Sequence, residues 1–282
     1  MMLLEKIMIC TDFSEPSKQL LHCLPEMKTA GLKHVVLMHV VDVYSAGGNA
    51  LAFQQNNLEK LHVTREELEK MGLTVTVAVP IGFPAEEIER TAVEEDVSLI
   101  LVASQGKGFI RSRFLGSTTA DLMRISTVPL LIEKFKDLDE DNCVLYCKEK
   151  FAKVLVPTDF SKFSMNVIQK IKQSTFIGEV VLVSVIETSG SQEAFEKEKA
   201  EIEDKLKKLQ SAFTDNGIKA SYRMGEGTAS RNIIDIGEQE QVTLIAFSKR
   251  GAGRVRELLV GSTAEALARR SQVPVMIFPA NR

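Results

Sequence analysis

The sequence predicts an α/β fold made twice, as two doubly wound, five-stranded parallel-sheet domains in tandem. Three observations predict it. The chain repeats itself at a nearly constant offset, and each repeat alternates short apolar runs with longer amphipathic stretches. In each repeat the fourth apolar run is followed by the same glycine spacing.

KIMICTDFS (Lys6 to Ser14) returns as KVLVPTDFS (Lys153 to Ser161), so Asp12 and Asp159 stand 147 residues apart. Further along the offset is 145, joining Val40 to Val185, Gly82 to Gly227, Gly106 to Gly251, Gly116 to Gly261 and Pro129 to Pro274. An offset held over that length means duplication. Each copy has the size of an ordinary domain, so the chain is a pair and not a solenoid. Between the copies, Lys134 to Lys150 is rich in charge and poor in apolar periodicity. The boundaries read as domain one at 1–137, a linker at 138–149 and domain two at 150–282.

In chain order, domain one has apolar runs at Ile7–Cys10, Val35–Val41, Thr74–Val79, Leu99–Ala103 and Pro129–Ile132. Domain two has them at Val154–Pro157, Val180–Ile186, Lys219–Arg223, Leu244–Phe247 and Pro274–Phe278. Most are continuous Val, Ile and Leu with little alternation, the pattern of strands buried on both faces. Between them the spacing predicts helices. Ser17–Lys28 follows Ser14 and Pro16, which suit a helix start. Ala85–Glu95 and Ala229–Gln239 carry apolar residues at helical spacing, and Gln192–Asp215 is long and charged. Phe195, Ile202, Leu206 and Leu209 form its apolar stripe, which reads as core packing. Strands alternating with helices give an open sheet whose ligand crevice lies at the carboxyl ends of its central strands.

Composition narrows the function. The 282 residues are 44% hydrophobic and 26% charged with a formal net charge of -3, which gives no electrostatic reason to expect nucleic acid or an anionic membrane. No apolar run approaches the roughly 18 residues of a membrane span, and Glu5 interrupts the apolar start. Four scattered cysteines (Cys10, Cys23, Cys143, Cys147) make no disulfide framework, so the expected compartment is the cytoplasm. Cys143 and Cys147 lack the two further ligands of a zinc site, because the four histidines are not grouped near them. His39 lies in a strand and reads as a core histidine with its hydrogen bonds satisfied.

The chemistry concentrates after the fourth strand. There Ala103-Ser104-Gln105-Gly106 is followed by nine residues and Gly116-Ser117, and Ser248-Lys249-Arg250-Gly251 by nine residues and Gly261-Ser262. A small residue and a glycine end the strand and let backbone approach a ligand. The Gly-Ser pair opens the next helix, with Ser117 or Ser262 near its N-cap, and unpaired amides at that positive end suit phosphate. Lys107, Arg111 and Arg113 in one insert, and Arg254 and Arg256 in the other, either neutralise phosphate or are ordinary solvated side chains. Strand-to-helix turns alone do not fix a nine-residue gap twice. Asp12 and Asp159, just past the first strand, either accept hydrogen bonds from a ligand or cap the following turn.

Strand-Thr-Asp-Phe-Ser, then His39-Val40-Val41-Asp42, Gly82-Phe83-Pro84-Ala85-Glu86-Glu87-Ile88, the glycine-serine loop and Val128-Pro129 together resemble the universal stress proteins. The resemblance covers everything but the linker and implies a tandem member with a Rossmann-like, adenine nucleotide alpha hydrolase-like fold. It implies that each domain binds ATP or AMP, magnesium accompanying ATP. By position Asp12 and Asp159 match the acid near the adenosine, with Thr11 and Thr158 before it. Val40 and Val185 match the residue whose backbone faces adenine. Gly106, Gly116 and Ser117, with Gly251, Gly261 and Ser262, match the phosphate contacts, and Thr118 and Thr263 follow in the same helix turn. The family's first loop glycine is Ala103 in one domain and Ser248 in the other, against the ribose, and Ser184 replaces the usual His before Val185.

The expected function is therefore a nucleotide-binding regulatory module of a stress response. An enzyme such as a slow ATPase is the alternative. Against it, the Gly-x4-Gly-Lys-Ser/Thr, Ser-Gly-Gly-x-Asp-Ser and His-x-Gly-His signatures do not occur. A module that has lost nucleotide binding is the third reading, opposed by the retained glycine pairs. The fifth strands are apolar sheet edges, so the two domains are expected to pair through them, with a further homodimer left open.

Overall fold

The computed structural model describes residues 3–105, 115–136, 143–187, 191–252 and 259–280. Gly106, the five basic insert residues and positions 138–142 of the expected linker lie outside them. The chain divides into two compact units, Met1–Lys148 and Glu149–Arg282.

Unit one is built on five parallel strands: β1 (Lys6–Cys10), β2 (His34–Met38), β3 (Thr74–Ala78), β4 (Leu99–Ala103) and β5 (Leu130–Glu133). Their spatial order is β5-β4-β1-β2-β3. Unit two repeats it with β6 (Lys153–Pro157), β7 (Glu179–Ile186), β8 (Lys219–Glu226), β9 (Leu244–Ser248) and β10 (Val275–Phe278), in the order β8-β7-β6-β9-β10. Both central strands are buried because helices pack on both faces. Ile7, Met8 and Ile9 of β1 and Val154, Leu155 and Val156 of β6 are at most 1% exposed.

The helices differ from the sequence expectation in instructive ways. The stretch expected as one helix over Ser17–Lys28 is split into α1 (Glu15–Gln19), a 3-10 turn (Leu20–Cys23) and α2 (Leu24–Thr29). Pro25 has no amide to continue the ladder and its ring crowds the preceding turn, so the helix restarts with Pro25 in its first turn. Unit two has Lys172 at the matching position and keeps one continuous helix to the end of Lys162–Lys172. A long helix, α3 (Ala50–Lys70), has no counterpart in the sequence reading. Its buried residues are only Leu61 and Leu68, too few to write an apolar stripe. Beside a four-residue helical turn at Val43–Ala46 and a 3-10 turn at Gly47–Asn49, the remaining helices of unit one among the described residues are α4 (Pro84–Glu94) and α5 (Ser117–Ile125). Those of unit two are α6 (Lys162–Lys172), α7 (Gln192–Thr214), α8 (Ala229–Gln239) and α9 (Ser262–Arg270). Along α7 the core contact falls on Leu206 and Phe213, while Phe195, Ile202 and Leu209 are half-buried.

The second strand reaches further in unit two than in unit one. Pro80 donates no amide, so β2 stops at Met38 and resumes as a two-residue strand, Val41–Asp42, beside Ile81–Gly82. With Gly225 in that place, β7 runs unbroken to Ile186. After β5, the segment read as linker folds back within unit one. Val144–Leu145 pairs antiparallel with Phe135–Lys136, and Cys143 and Leu145 are buried. Burial, with the Glu15 carboxylate, pushes the Cys143 thiol up to about 11, which keeps it protonated and unreactive.

Candidate functional site

Strand order reverses beside β1. The chain leaves β1 toward β2 on one side and returns to β4 on the other, which opens a crevice past their carboxyl ends. In unit one this crevice is a cavity of about 760 Å³, the size of a small-molecule site. Thr11, Asp12, Val40, Ala103, Gly116, Ser117 and Thr118 all line it. Residues far apart in sequence thus meet in one place.

The turn after β1 fixes the acid. Phe13 sits in the left-handed region at φ 61°, as Phe160 does at φ 56°, a conformation bulky residues rarely adopt. It returns the Phe13 amide to the Thr11 hydroxyl at 3.0 Å and brings the Ser14 amide to Asp12 Oδ1 at 3.0 Å. The Ser14 hydroxyl also donates to Asp12 Oδ1. The helix is capped by Ser14, which accepts from the Ser17 amide, so Asp12 organises the turn and leaves the capping to its neighbour.

In unit two the same turn shows what the acid can reach. Asp159 Oδ1 accepts from the Ser161 amide and the Ser164 hydroxyl at 3.0 and 2.7 Å. Oδ2 accepts from the Ala252 amide at 2.6 Å, which ties the first turn to the loop after β9. A Cβ on Gly251 would lie 2.6 Å from that same oxygen, so glycine is what lets the loop come this close. Burial pushes the Asp159 carboxyl up, but these hydrogen bonds together hold it below the usual carboxylate range.

The helix termini sharpen the sequence reading. The N-caps of α5 and α9 are Gly116 and Gly261, which have no side chain to cap with. Ser117 and Ser262 are the first helical residues. Ala120 and Glu265 donate to the carbonyls of Gly116 and Gly261, so the first-turn amides of Ser117, Thr118 and Thr119, and of Ser262, Thr263 and Ala264, have no intrahelical acceptor. Each glycine is fixed by its own amide, which donates at 2.8 Å to Ser104 or Lys249. The residues in place of the family's first loop glycine are both engaged. The Ala103 carbonyl accepts from the Thr119 hydroxyl at 3.0 Å, and Ser248 Oγ accepts from the Arg250 amide at 3.4 Å.

Val40 faces the crevice with its backbone. The Thr11 amide donates to the Met38 carbonyl at 2.8 Å, and β1 ends there. On the opposite side the His39 and Val41 amides donate to the Ala78 and Pro80 carbonyls, so the alternation of the extended backbone continues through the break. The Val40 carbonyl and amide therefore aim where β1 no longer supplies a partner, and among the described residues none hydrogen-bonds to them. In unit two the Thr158 amide donates to the Val183 carbonyl at 2.8 Å, which gives Val185 the same parity.

Sequence reasoning missed the opposite wall. Phe53, Asn56, Asn57 and Lys60 of α3 line the cavity, with Phe13, His39 and Gln105. His39, read as a core histidine, is satisfied as expected but half-buried and in the wall. Lys60 lies 5.2 Å over the Phe13 ring, and Lys205 lies 5.3 Å over Phe160 in unit two. The repeat offset was the available signal, because shifting the expected helix Gln192–Asp215 back by 145 residues lands on α3.

Among the described residues no group of three His, Cys, Asp or Glu could hold a metal ion, and no helix is long and apolar enough to cross a membrane. None of the four cysteines is in a disulfide.

A family model described as the universal stress protein family matches residues 4–134 and again 150–279. A universal stress protein of Methanocaldococcus jannaschii is 31% identical over 156 residues, spanning 47% of this chain and 96% of that one. A universal stress protein structure from Archaeoglobus fulgidus is 25% identical with a TM-score of 0.75, covering 98% of this chain and 96% of that one. A putative universal stress protein from Pseudomonas aeruginosa shares the fold at 14% identity and a TM-score of 0.68, covering 98% of this chain and 94% of that one.

Proposed function

The chain belongs to the universal stress protein family, and from that premise we propose that each unit binds an adenine nucleotide, ATP or AMP, as a regulatory module of a stress response. One observation carries the reading. A single cavity in unit one brings together the acid after β1, the unpartnered Val40 backbone and a helix N-terminus capped only by glycine.

Each part has a chemical counterpart in the ligand. Adenine offers an acceptor and an amine side by side, which suit the Val40 amide and carbonyl. The Asp12 carboxylate accepts from a ribose hydroxyl. The amides of Ser117 and Thr118, at the positive end of α5, suit phosphate oxygens. Gly106 and Gly116 let backbone approach the phosphates, with Gly251 and Gly261 as their counterparts. In unit two Thr158, Asp159, Val185, Ser248, Ser262 and Thr263 take the corresponding parts. Ser248 stands where unit one has Ala103 against the ribose, so the two sites bind with different affinities. With no metal cage among the described residues, magnesium arriving with ATP rests on the triphosphate itself. Cysteines outside any disulfide fit a reducing compartment, the cytoplasm.

Titration calorimetry with AMP and ATP tests this reading. The expected result is saturable binding at two unequal sites per chain; no heat and no thermal stabilisation at millimolar nucleotide would sink it.

We further propose that the units associate through their fifth strands. Within its own five strands each of β5 and β10 is terminal, and every residue of both is buried and mostly apolar. A second association of whole chains into a homodimer would use other surfaces.

A further inference from the structure

The two units share their acid, glycines and helix termini, but not the wall that faces the base. In unit one that wall holds a fixed pair. His39 Nδ1 lies 2.8 Å from the Thr11 carbonyl, which can only accept, so Nδ1 carries the proton. Asn57 Nδ2 lies 3.0 Å from Nε2 and can only donate, so Nε2 accepts and the ring is the neutral Nδ1–H tautomer. The chain of bonds runs from the end of β1 through the imidazole to the carboxamide. The ring is further fixed by Phe13, whose centroid is 4.5 Å away.

Among the described residues no other hydrogen bond holds the Asn57 amide, and Asn57 lines the cavity. One N–H and Oδ1 are left, a donor and an acceptor held in one plane. That pair complements the N7 acceptor and the amine of adenine, and it opposes the two acceptors that guanine shows on the same edge. At the matching positions unit two has Ser184 and Ile202, which offer no such pair.

We propose that Asn57, positioned by His39, reads the base in unit one, adding to the Val40 backbone a second contact to adenine that unit two lacks and making unit one the more selective site. The proposal rests on the nucleotide-binding reading above and assigns its base specificity.

The test is calorimetry on the full chain with AMP and GMP, with unit two silenced by Gly261→Asp. Asn57→Leu is expected to weaken AMP about tenfold, a modest share of what one bidentate contact to adenine contributes, with no loss of GMP binding. The reciprocal variant places Ser184→His and Ile202→Asn in a chain silenced at unit one by Gly116→Asp, and it should raise preference for AMP over GMP about tenfold. Nitrogen NMR of the parent should find His39 protonated at Nδ1. An AMP-to-GMP ratio unmoved by Asn57→Leu, or His39 protonated at Nε2 alone, overturns the proposal. Absence of binding by either nucleotide in the parent chain fails the broader reading as well, so the two failures are told apart.

Discussion

A single carboxylate shows how much a residue owes to its surroundings. Asp159 is bonded by the Ser161 and Ser164 side of its own turn and by the Ala252 amide of a loop more than ninety positions away. Because the fold holds its carboxyl low, Asp159 stabilises the fold above the unfolded value of about 3.9. That contribution is lost as pH falls through the lower folded value. Asp159→Asn is therefore expected to lower stability at pH 7 by up to about 1 kcal/mol. The gap to the parent closes as the pH drops below about 4. Urea midpoints at pH 7 and pH 3 check this, and a gap of equal size at both would count against it. The Thr-Asp-Phe-Ser string alone could not divide the labour of its residues. Asp and Ser both cap helices, and the positive φ of Phe13 and Phe160 turns the serine onto the helix and leaves the acid to organise the turn beside the crevice.

At the scale of the element, α5 and α9 forgo a side-chain cap. Glycine at the N-cap leaves three first-turn amides without an intrahelical acceptor, where Ser or Asp would satisfy one of them. A Cβ on Gly261 would meet the Lys249 carbonyl at an ordinary 3.6 Å, and its φ of -73° suits any residue. Gly261→Asp is thus expected to stabilise unit two by a few tenths of a kcal/mol. The same change places a negative charge where phosphate would sit, and one of two nucleotide sites should vanish. Thermal melts read the first effect and calorimetric stoichiometry the second; a variant that is no less stable yet still binds two nucleotides would refute the assignment. The spacing of Gly116-Ser117 and Gly261-Ser262 showed that a helix starts there, and the structure decided that glycine, not serine, is the cap.

Across the whole molecule the duplication extends well beyond the site. Among the described residues, the four non-glycine positions with positive φ are two repeat-related pairs, Phe13 with Phe160 and Asp96 with Gln241. The ion pair Lys6–Glu95 at 2.9 Å recurs as Lys153–Glu240 at 2.9 Å. Surface pairs of this kind contribute little stability, so their repetition records copied geometry. Each unit has its own core, and each is expected to fold alone. If the fifth strands are association edges, a fragment ending at Lys148 should form a dimer or larger species through β5. Sedimentation of that fragment checks this, and a stable monomer would contradict the proposed pairing.

The sequence by itself determined the duplication, the α/β class and the residues at the carboxyl ends of β1 and β4. Those features rest on local patterns: continuous apolar runs for buried parallel strands, and glycines where backbone must come close. Only the tertiary structure decided what faces those residues. Helix α3 buries little of itself and has no stripe to announce it, yet it supplies Asn57 to the cavity wall. The reversal of strand order at β1 brings that helix, the Val40 backbone and the Gly116 terminus together, because a crevice is made by the divergence of chain segments distant in sequence.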